Sequence, residues 1–257
     1  MIITKTKPQI EKMRLAGRAA ATALHTAGAA VRPGVTTLAL DTIVRQTLKK
    51  FAAIPSFLHY NGFPAAACIS INHQVIHGIP SKTVVIREGD LVKIDVGAIV
   101  SGFHGDCADT FFAGEVTAAA KQLYAVTRQS FYEGMVHART DNRIGDISHA
   151  IQNHVEGHGY AVIKAFVGHG IGQALHEDPE VPNYGAAAKG ARLCEGMTLA
   201  IEPMVSAGKT SDIYVLDDDW TVVTADNALS CHYENTIVIT ENGPEILTVY
   251  DGARYGN

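Results

Sequence analysis

After a short polar start, apolar residues fall at helical spacing: Ile10, Met13, Ala16, Ala20 and Leu24. Thr6-Lys7-Pro8-Gln9 precedes them as a capping box with proline in the first turn. Arg32-Pro33-Gly34 breaks the pattern, and Leu40, Ile43, Val44 and Phe51 carry a second helix. The period then drops to that of strands in ACISI, TVVI, LVKIDVGAIV and DTFFAG, with turns at NH, REGD and SGFHGD. From about Val116 helical spacing returns (Leu123, Val126, Phe131) and breaks near Arg139-Thr140-Asp141. It resumes through Ile144, Ile147, Ile151 and Val155, and Gly157-His158-Gly159 stops it. TLAIEPMV, IYVL, WTVVT and HYENTIVIT again predict strands.

The order helix, helix, strands therefore occurs twice. Glu88-Gly89 leads through LVKI to Asp95, and Glu195-Gly196 leads through TLAI to Glu202. Asp41 and Asp146 sit in matching helices at nearly the same offset. This is the signature of an internal duplication. The expected fold is α+β, with halves of about 1–115 and 116–257 related by a pseudo-twofold. No Pro/Gly/Ser-rich linker separates them, so one sheet, one core and a single domain spanning 1–257 are expected.

Composition narrows the functional classes. The 257 residues are 47% hydrophobic and 18% charged, the balance of a soluble globular chain. A formal net charge of −5 gives no basic surface for nucleic acid. The N-terminus lacks an apolar signal region and no run of eighteen apolar residues occurs, which argues against export and membrane spanning. The four cysteines are scattered without a CxxC pair, the pattern of reduced thiols in a cytoplasm. No heptad pattern marks a coiled coil, and a monomer is expected.

Candidate chemistry concentrates in AFVGHGIGQALHEDP, where His169 and His176 stand seven residues apart among Gly168, Gly170 and Gly172. Such glycines signal unusual dihedrals or a close approach of the backbone to something. A phosphate cradle fits poorly, because there is no P-loop lysine and Glu177-Asp178 would repel an anion. The other reading, a metal or catalytic site, needs carboxylates elsewhere. Asp95, Asp106, Glu202 and Glu234 each stand inside an apolar strand, where an unpaired charge costs several kcal/mol (roughly). Lys93 shares a strand face with Asp95, and no other basic residue neighbours the four in sequence. Divalent cations account for such acids better than ion pairs do, since oxygen ligands with an imidazole suit hard-to-borderline ions.

The set Asp95, Asp106, His169, Glu202 and Glu234 resembles the metal centre of the methionine aminopeptidases, members of the pita-bread metallopeptidases. KIDVGA, GFHGDCADTF, GHGIGQALHEDP, IEPM and HYENTIVIT are similar to that family along essentially the whole chain. The resemblance is to the bacterial-length type I form. It implies a pita-bread fold, a curved antiparallel sheet covered by helices, and two divalent ions (Mn, Fe, Co or Zn). Asp95 would ligate one ion, His169 with Glu202 the other, and Asp106 and Glu234 both. Glu202 would also transfer protons, while His77 in VIHGIP and His176 would contact the substrate peptide. Tyr60, Phe63, Cys68 and Trp220 would form the methionine pocket. Leu175 departs from the aromatic found before the histidine in many relatives. The implied activity removes the N-terminal methionine of nascent chains whose second residue is small. It would act in the cytoplasm, with transient ribosome association as a partner expectation. Rivals are an imidodipeptidase on the same fold and a metal-free binding module, which would lack some of the five ligands.

Overall fold

The computed structural model describes residues 1–252, so positions 253–257 of the expected domain lie outside the described residues. Four helices are named α1 (Lys7–Gly28), α2 (Thr37–Lys50), α3 (Ala118–Met135) and α4 (Ile144–Gly157). The Gln9 side chain closes the first turn of α1 by accepting from the Thr6 N–H at 2.8 Å. Thr36 caps α2 through its hydroxyl, which accepts from the Ala39 N–H at 3.2 Å.

The main sheet has nine strands, all paired antiparallel. Its centre is Leu91–Val100, Phe103–Phe112, Glu234–Thr240 and Thr198–Ile201 in that order, with Gly168–Gly170 beyond Thr198–Ile201. Cys68–Ile71 also pairs with Leu91–Val100. Two smaller three-stranded sheets complete the β structure named here. One core cluster joins α1 and α2 to Ile94, Val96, Ala98 and Cys107. A second joins α3 and α4 to Leu199, Ile201, Ile237 and Ile239. Alternation along the strands sends these apolar residues to the helices and their neighbours in sequence to the opposite face.

Corresponding pairings recur at a constant offset along the chain. Thr36 bridges Val85 before the Leu91–Val100 strand, and Arg143 bridges Arg192 before Thr198–Ile201. One constant shift in numbering carries Thr36 to Arg143, Val85 to Arg192 and Asp95 to Glu202. It also carries α2 onto α4, each 14 residues long. Gly89 and Gly196, equivalent under this shift, both take a left-handed backbone (φ 86° and 81°), which turns the chain into each strand. Asp41 and Asp146 fall out of step with it. Asp146 accepts from the Arg143 N–H at the start of α4, whereas Asp41 lies further along α2 and accepts from the Ala66 and Ala67 N–H groups at 2.8 and 3.0 Å. After Glu202 the shift is lost, because the second half inserts the hairpin of Ile213–Val215 and Val222–Thr224.

Several predicted strands differ in extent. Thr83–Ile86 is no strand; the Ile86 N–H bonds the Val35 carbonyl and the Val84 carbonyl takes the Thr37 N–H, so the segment braces the start of α2. The SGFHGD turn shrinks to Ser101 and Gly102, both at positive φ, and the strand resumes at Phe103. TLAIEPMV splits at Glu202-Pro203, where proline has no N–H for a ladder. HYENTIVIT splits at Tyr233, between Ser230–His232 and Glu234–Thr240.

Candidate metal centre

Register alone gathers the expected ligands. Ala108 stands opposite Asp95 on one side and Glu234 on the other. Residues directly opposite share a sheet face, and Asp106, two positions from Ala108, shares it too. Across the next pairings Thr236 faces Ala200 and Ala200 faces His169, so Glu234 and His169 meet on that same face. Glu202 follows the end of Thr198–Ile201, and its carbonyl accepts from the side-chain amide of Asn183 at 3.0 Å. Ligand atoms of Asp106, His169 and Glu234 all lie within 4.8 Å of one another.

These five line one cavity of about 280 Å³ with His77, His176, Tyr60, Phe63, Cys68 and Trp220. Every site residue expected from the sequence therefore borders the same space, as does Leu175. Phe63 meets Trp220 edge-on at 5.1 Å between centroids, and Leu175 packs into the same apolar cluster as Phe63 and Cys68. The wall before His176 is thus aliphatic and closed. His77 lies edge-on to Phe166 and Trp220 at 5.5 and 6.3 Å. Its backbone is left-handed (φ 59°), uncommon for a residue with a Cβ and typical of a position fixed by its surroundings.

Electrostatics fit a cation site. Burial and the neighbouring Asp106 and Glu202 charges push the Asp95 carboxyl well above the carboxylate range. Burial raises Asp106 to about 7, and burial with the Asp106 charge lifts Glu202 and Glu234 well above theirs. Asp95 Oδ1, Asp106 Oδ1 and Glu234 Oε1 are buried with no hydrogen-bond partner among the described residues. Lys93 does not answer them: its ammonium donates to the carbonyls of Asn72 and Ser230 at 2.6 and 3.1 Å. Burial lowers His169 to about 3, so its ring is neutral and its 3.6 Å approach to Glu202 is no ion pair. With Nδ1–H donated to the Gly170 carbonyl at 2.8 Å, the lone pair of Nε2 faces the carboxylates. Orphaned oxygens, crowded acids and an imidazole oriented by its own backbone make up a donor set that fits divalent ions.

The histidine pair of the glycine run converges, with ring centroids of His169 and His176 4.3 Å apart. His176 Nδ1 and the Tyr60 hydroxyl are joined at 2.6 Å, and burial raises Tyr60 so that it keeps its proton. The glycines serve close approach rather than left-handed dihedrals. A Cβ on Gly168 would meet the Ala200 carbonyl at 2.4 Å, and one on Gly170 the Asp178 carbonyl at 2.2 Å. Gly172 makes room for the buried Lys5–Glu177 ion pair, since its Cβ would lie 2.4 Å from Lys5 Cε. Cys68, directly opposite Asp95, is buried and its thiol is held protonated by burial and the nearby carboxylates.

Two residues of the site escaped the sequence reading. His232 is buried, with Nε2 lacking a hydrogen-bond partner and 3.9 and 4.0 Å from Glu202 and Glu234 oxygens. It stands in HYEN, where the glutamate drew attention away from it. Asn183 is fully buried, in an irregular stretch with no periodicity to mark it.

The sequence pattern of metallopeptidase family M24 matches residues 11–241. A methionine aminopeptidase of Clostridium acetobutylicum is 52% identical over 249 residues, covering 97% of this chain and 99% of its own. Methionine aminopeptidase 1 of Bacillus subtilis is 46% identical, over 96% of this chain and 99% of its own. The crystal structure of the Thermotoga maritima methionine aminopeptidase superposes with a TM-score of 0.95 at 46% identity, over 96% of this chain and 99% of that one.

Proposed function

The chain belongs to metallopeptidase family M24, among its methionine aminopeptidases, and from that premise we propose that it removes N-terminal methionine from polypeptides whose second residue is small. The observation that carries the reading is one cavity. Its floor is five acid and imidazole side chains with no lysine or arginine partner among the described residues, and its wall is largely apolar and aromatic. In this reading Asp95 would hold one divalent ion, His169 and Glu202 the other, with Asp106 and Glu234 contributing to both. When bound, such ions lower the pKa of water toward neutrality and polarise a carbonyl.

The chain's own groups do the rest. The pocket of Phe57, Tyr60, Phe63, Cys68 and Trp220 takes the methionine side chain, excluding water around the scissile bond. His77 and His176, neutral because burial lowers both, present N–H groups to the peptide at the cavity wall. Tyr60 orients His176 through the 2.6 Å hydrogen bond. Glu202 accepts the proton of the attacking water and delivers it to the leaving nitrogen, so water adds across the C–N bond and the carboxylate is regenerated. His169 is fixed toward the carboxylates by its bond to the Gly170 carbonyl.

The second residue of the substrate then lies between His77 and the loop carrying Leu175 and His176, all three of which border the cavity. Forcing a large side chain there costs about 1–3 kcal/mol, or roughly 5- to 150-fold in rate. The reading places the enzyme in the cytoplasm, acting on emerging N-termini, with transient ribosome contact as a partner. The test is kcat/KM on Met-Xaa-Ser-Met peptides with the enzyme loaded with Mn or Co. Gly, Ala and Val at Xaa are expected to be cut and Leu and Lys to fall behind. Equal rates across the series would remove the small-residue rule, and no methionine release at all would remove the activity.

A further inference from the structure

The small sheet beside the cavity has a bare edge. It is built from Gln74–Ile76, Val222–Thr224 and Ile213–Val215, with Val222–Thr224 in the middle. Gln74–Ile76 runs into His77, and the loop joining the other two strands carries Trp220, so this sheet forms a wall of the cavity. Among the described residues, no strand pairs with the far side of Ile213–Val215. The Leu216 N–H donates to the Thr221 carbonyl at 2.9 Å and the Ala225 N–H to the Asp212 carbonyl at 3.0 Å. By the alternation of an antiparallel ladder, Tyr214 bonds inward as well, while Ile213 and Val215 turn their N–H and C=O groups to the open side. The edge is three residues long, bounded by Asp212 and by Asp217–Asp219. Tyr214, Val215 and Leu216 are 63%, 51% and 41% exposed, and Ile213–Leu216 contains no charge or proline. An open apolar edge without an internal charge or proline can take another strand.

A groove lies beside that edge, and its lining is next in the chain to the cavity wall. Phe166 and Val167 line the cavity, and the preceding Lys164 and Ala165 line an open groove of about 570 Å³ with Ser211, Asp212, Ile213 and Tyr214. A chain leaving the cavity past Phe166 enters this groove alongside the free strand. Reach agrees with this. Val215 faces Val222, which faces Ile76 next to His77. A strand added beyond Val215 lies three strand spacings from Ile76, roughly 14 Å, the length of about four extended residues.

We infer that the free edge of Ile213–Val215 binds the substrate polypeptide at about its fourth to sixth residues, as an added strand. The inference rests on the aminopeptidase reading and extends its substrate contacts beyond the first two residues. Main-chain pairing is indifferent to side chains. It therefore suits an enzyme whose substrates share their first residue and little sequence after the second.

The test compares Met-Ala-Ser with an eight-residue peptide of the same start, on the metal-loaded wild type and on Val215→Pro. The proline removes the outward N–H and fills the open side without touching the inward bonds. A third arm uses the eight-residue peptide N-methylated at residues 4, 5 and 6. In the wild type the long peptide is expected to gain about tenfold in kcat/KM, mainly through KM, as two or three main-chain hydrogen bonds supply. Val215→Pro and the methylated peptide are each expected to lose that gain while Met-Ala-Ser is cut as before. A length effect that survives both changes, or none in the wild type, overturns the edge site. Failure to cut Met-Ala-Ser at all would count against the activity itself, a separate outcome.

Discussion

Glu202 leaves its strand one residue before Pro203, held at its carbonyl by Asn183, with its carboxylate beside His169 and His232. In the proposed reading that placement gives one side chain two tasks, ion ligation and proton transfer, and a conservative change bears on both. Glu202→Gln keeps shape and an oxygen but loses charge and basicity. Turnover is expected to fall by on the order of a hundredfold or more, measured on protein whose metal content is assayed in parallel. A metal-loaded variant within a factor of two of wild type would contradict both tasks. At this scale the sequence was legible wherever a residue contradicted its surroundings. An acid inside VKIDVG or LAIEPM announces itself, as His169 does between two glycines. Asn183 and His232 contradict nothing locally, and only tertiary packing reveals what they touch.

At the scale of elements, the helices were readable because capping and periodicity are local: α2 begins at its Thr36 cap, and α4 stops at Gly157-His158-Gly159. Strand limits were less so. Whether Val84 and Val85 extend a sheet or brace a helix depends on Val35 and Thr37, distant in pattern and adjacent in space. The glycine run shows the same dependence, since its glycines meet backbone from other segments. Gly170→Ala would drive a Cβ to 2.2 Å from the Asp178 carbonyl, forcing the His169 strand off its neighbour. The expected cost is about 1–3 kcal/mol, or roughly 3–10 °C in Tm by differential scanning calorimetry, with weakened metal binding. Gly157→Ala at the end of α4 meets open space and no left-handed backbone, so its Tm is expected to stay level or rise slightly. Equal behaviour of the two variants would refute the close-approach account.

At the scale of the whole molecule the N-terminal and C-terminal parts of the chain each hold part of one donor set: Asp95 and Asp106 from the first, His169, Glu202 and Glu234 from the second. Bound ions would therefore tie the two parts together, and the tie has a pH signature. Asp106, near 7 in the fold against an ordinary 3.8, favours its protonated form, so its stabilisation is complete below about 4 and is lost as pH rises to 7. Asp95, Glu202 and Glu234 shift in the same direction. His169 and His232, near 3, act oppositely: their stabilisation is present above 6.5 and is lost as pH falls through the window down to about 3. Ions need the acids ionised and the imidazoles neutral. The Tm gained on adding Mn to chelator-treated protein is therefore expected to grow steadily from pH 5 to pH 8. A gain independent of pH would mean that the ions bind elsewhere. The depth of the thiols has a practical outcome as well. Cys68, Cys107 and Cys231 are enclosed and Cys194 is open to solvent. With a peptide occupying the cavity that Cys68 lines, a maleimide dye offered to the folded chain thus finds one address, on a residue that does not border the cavity, and intact mass should show a single adduct until the protein is unfolded.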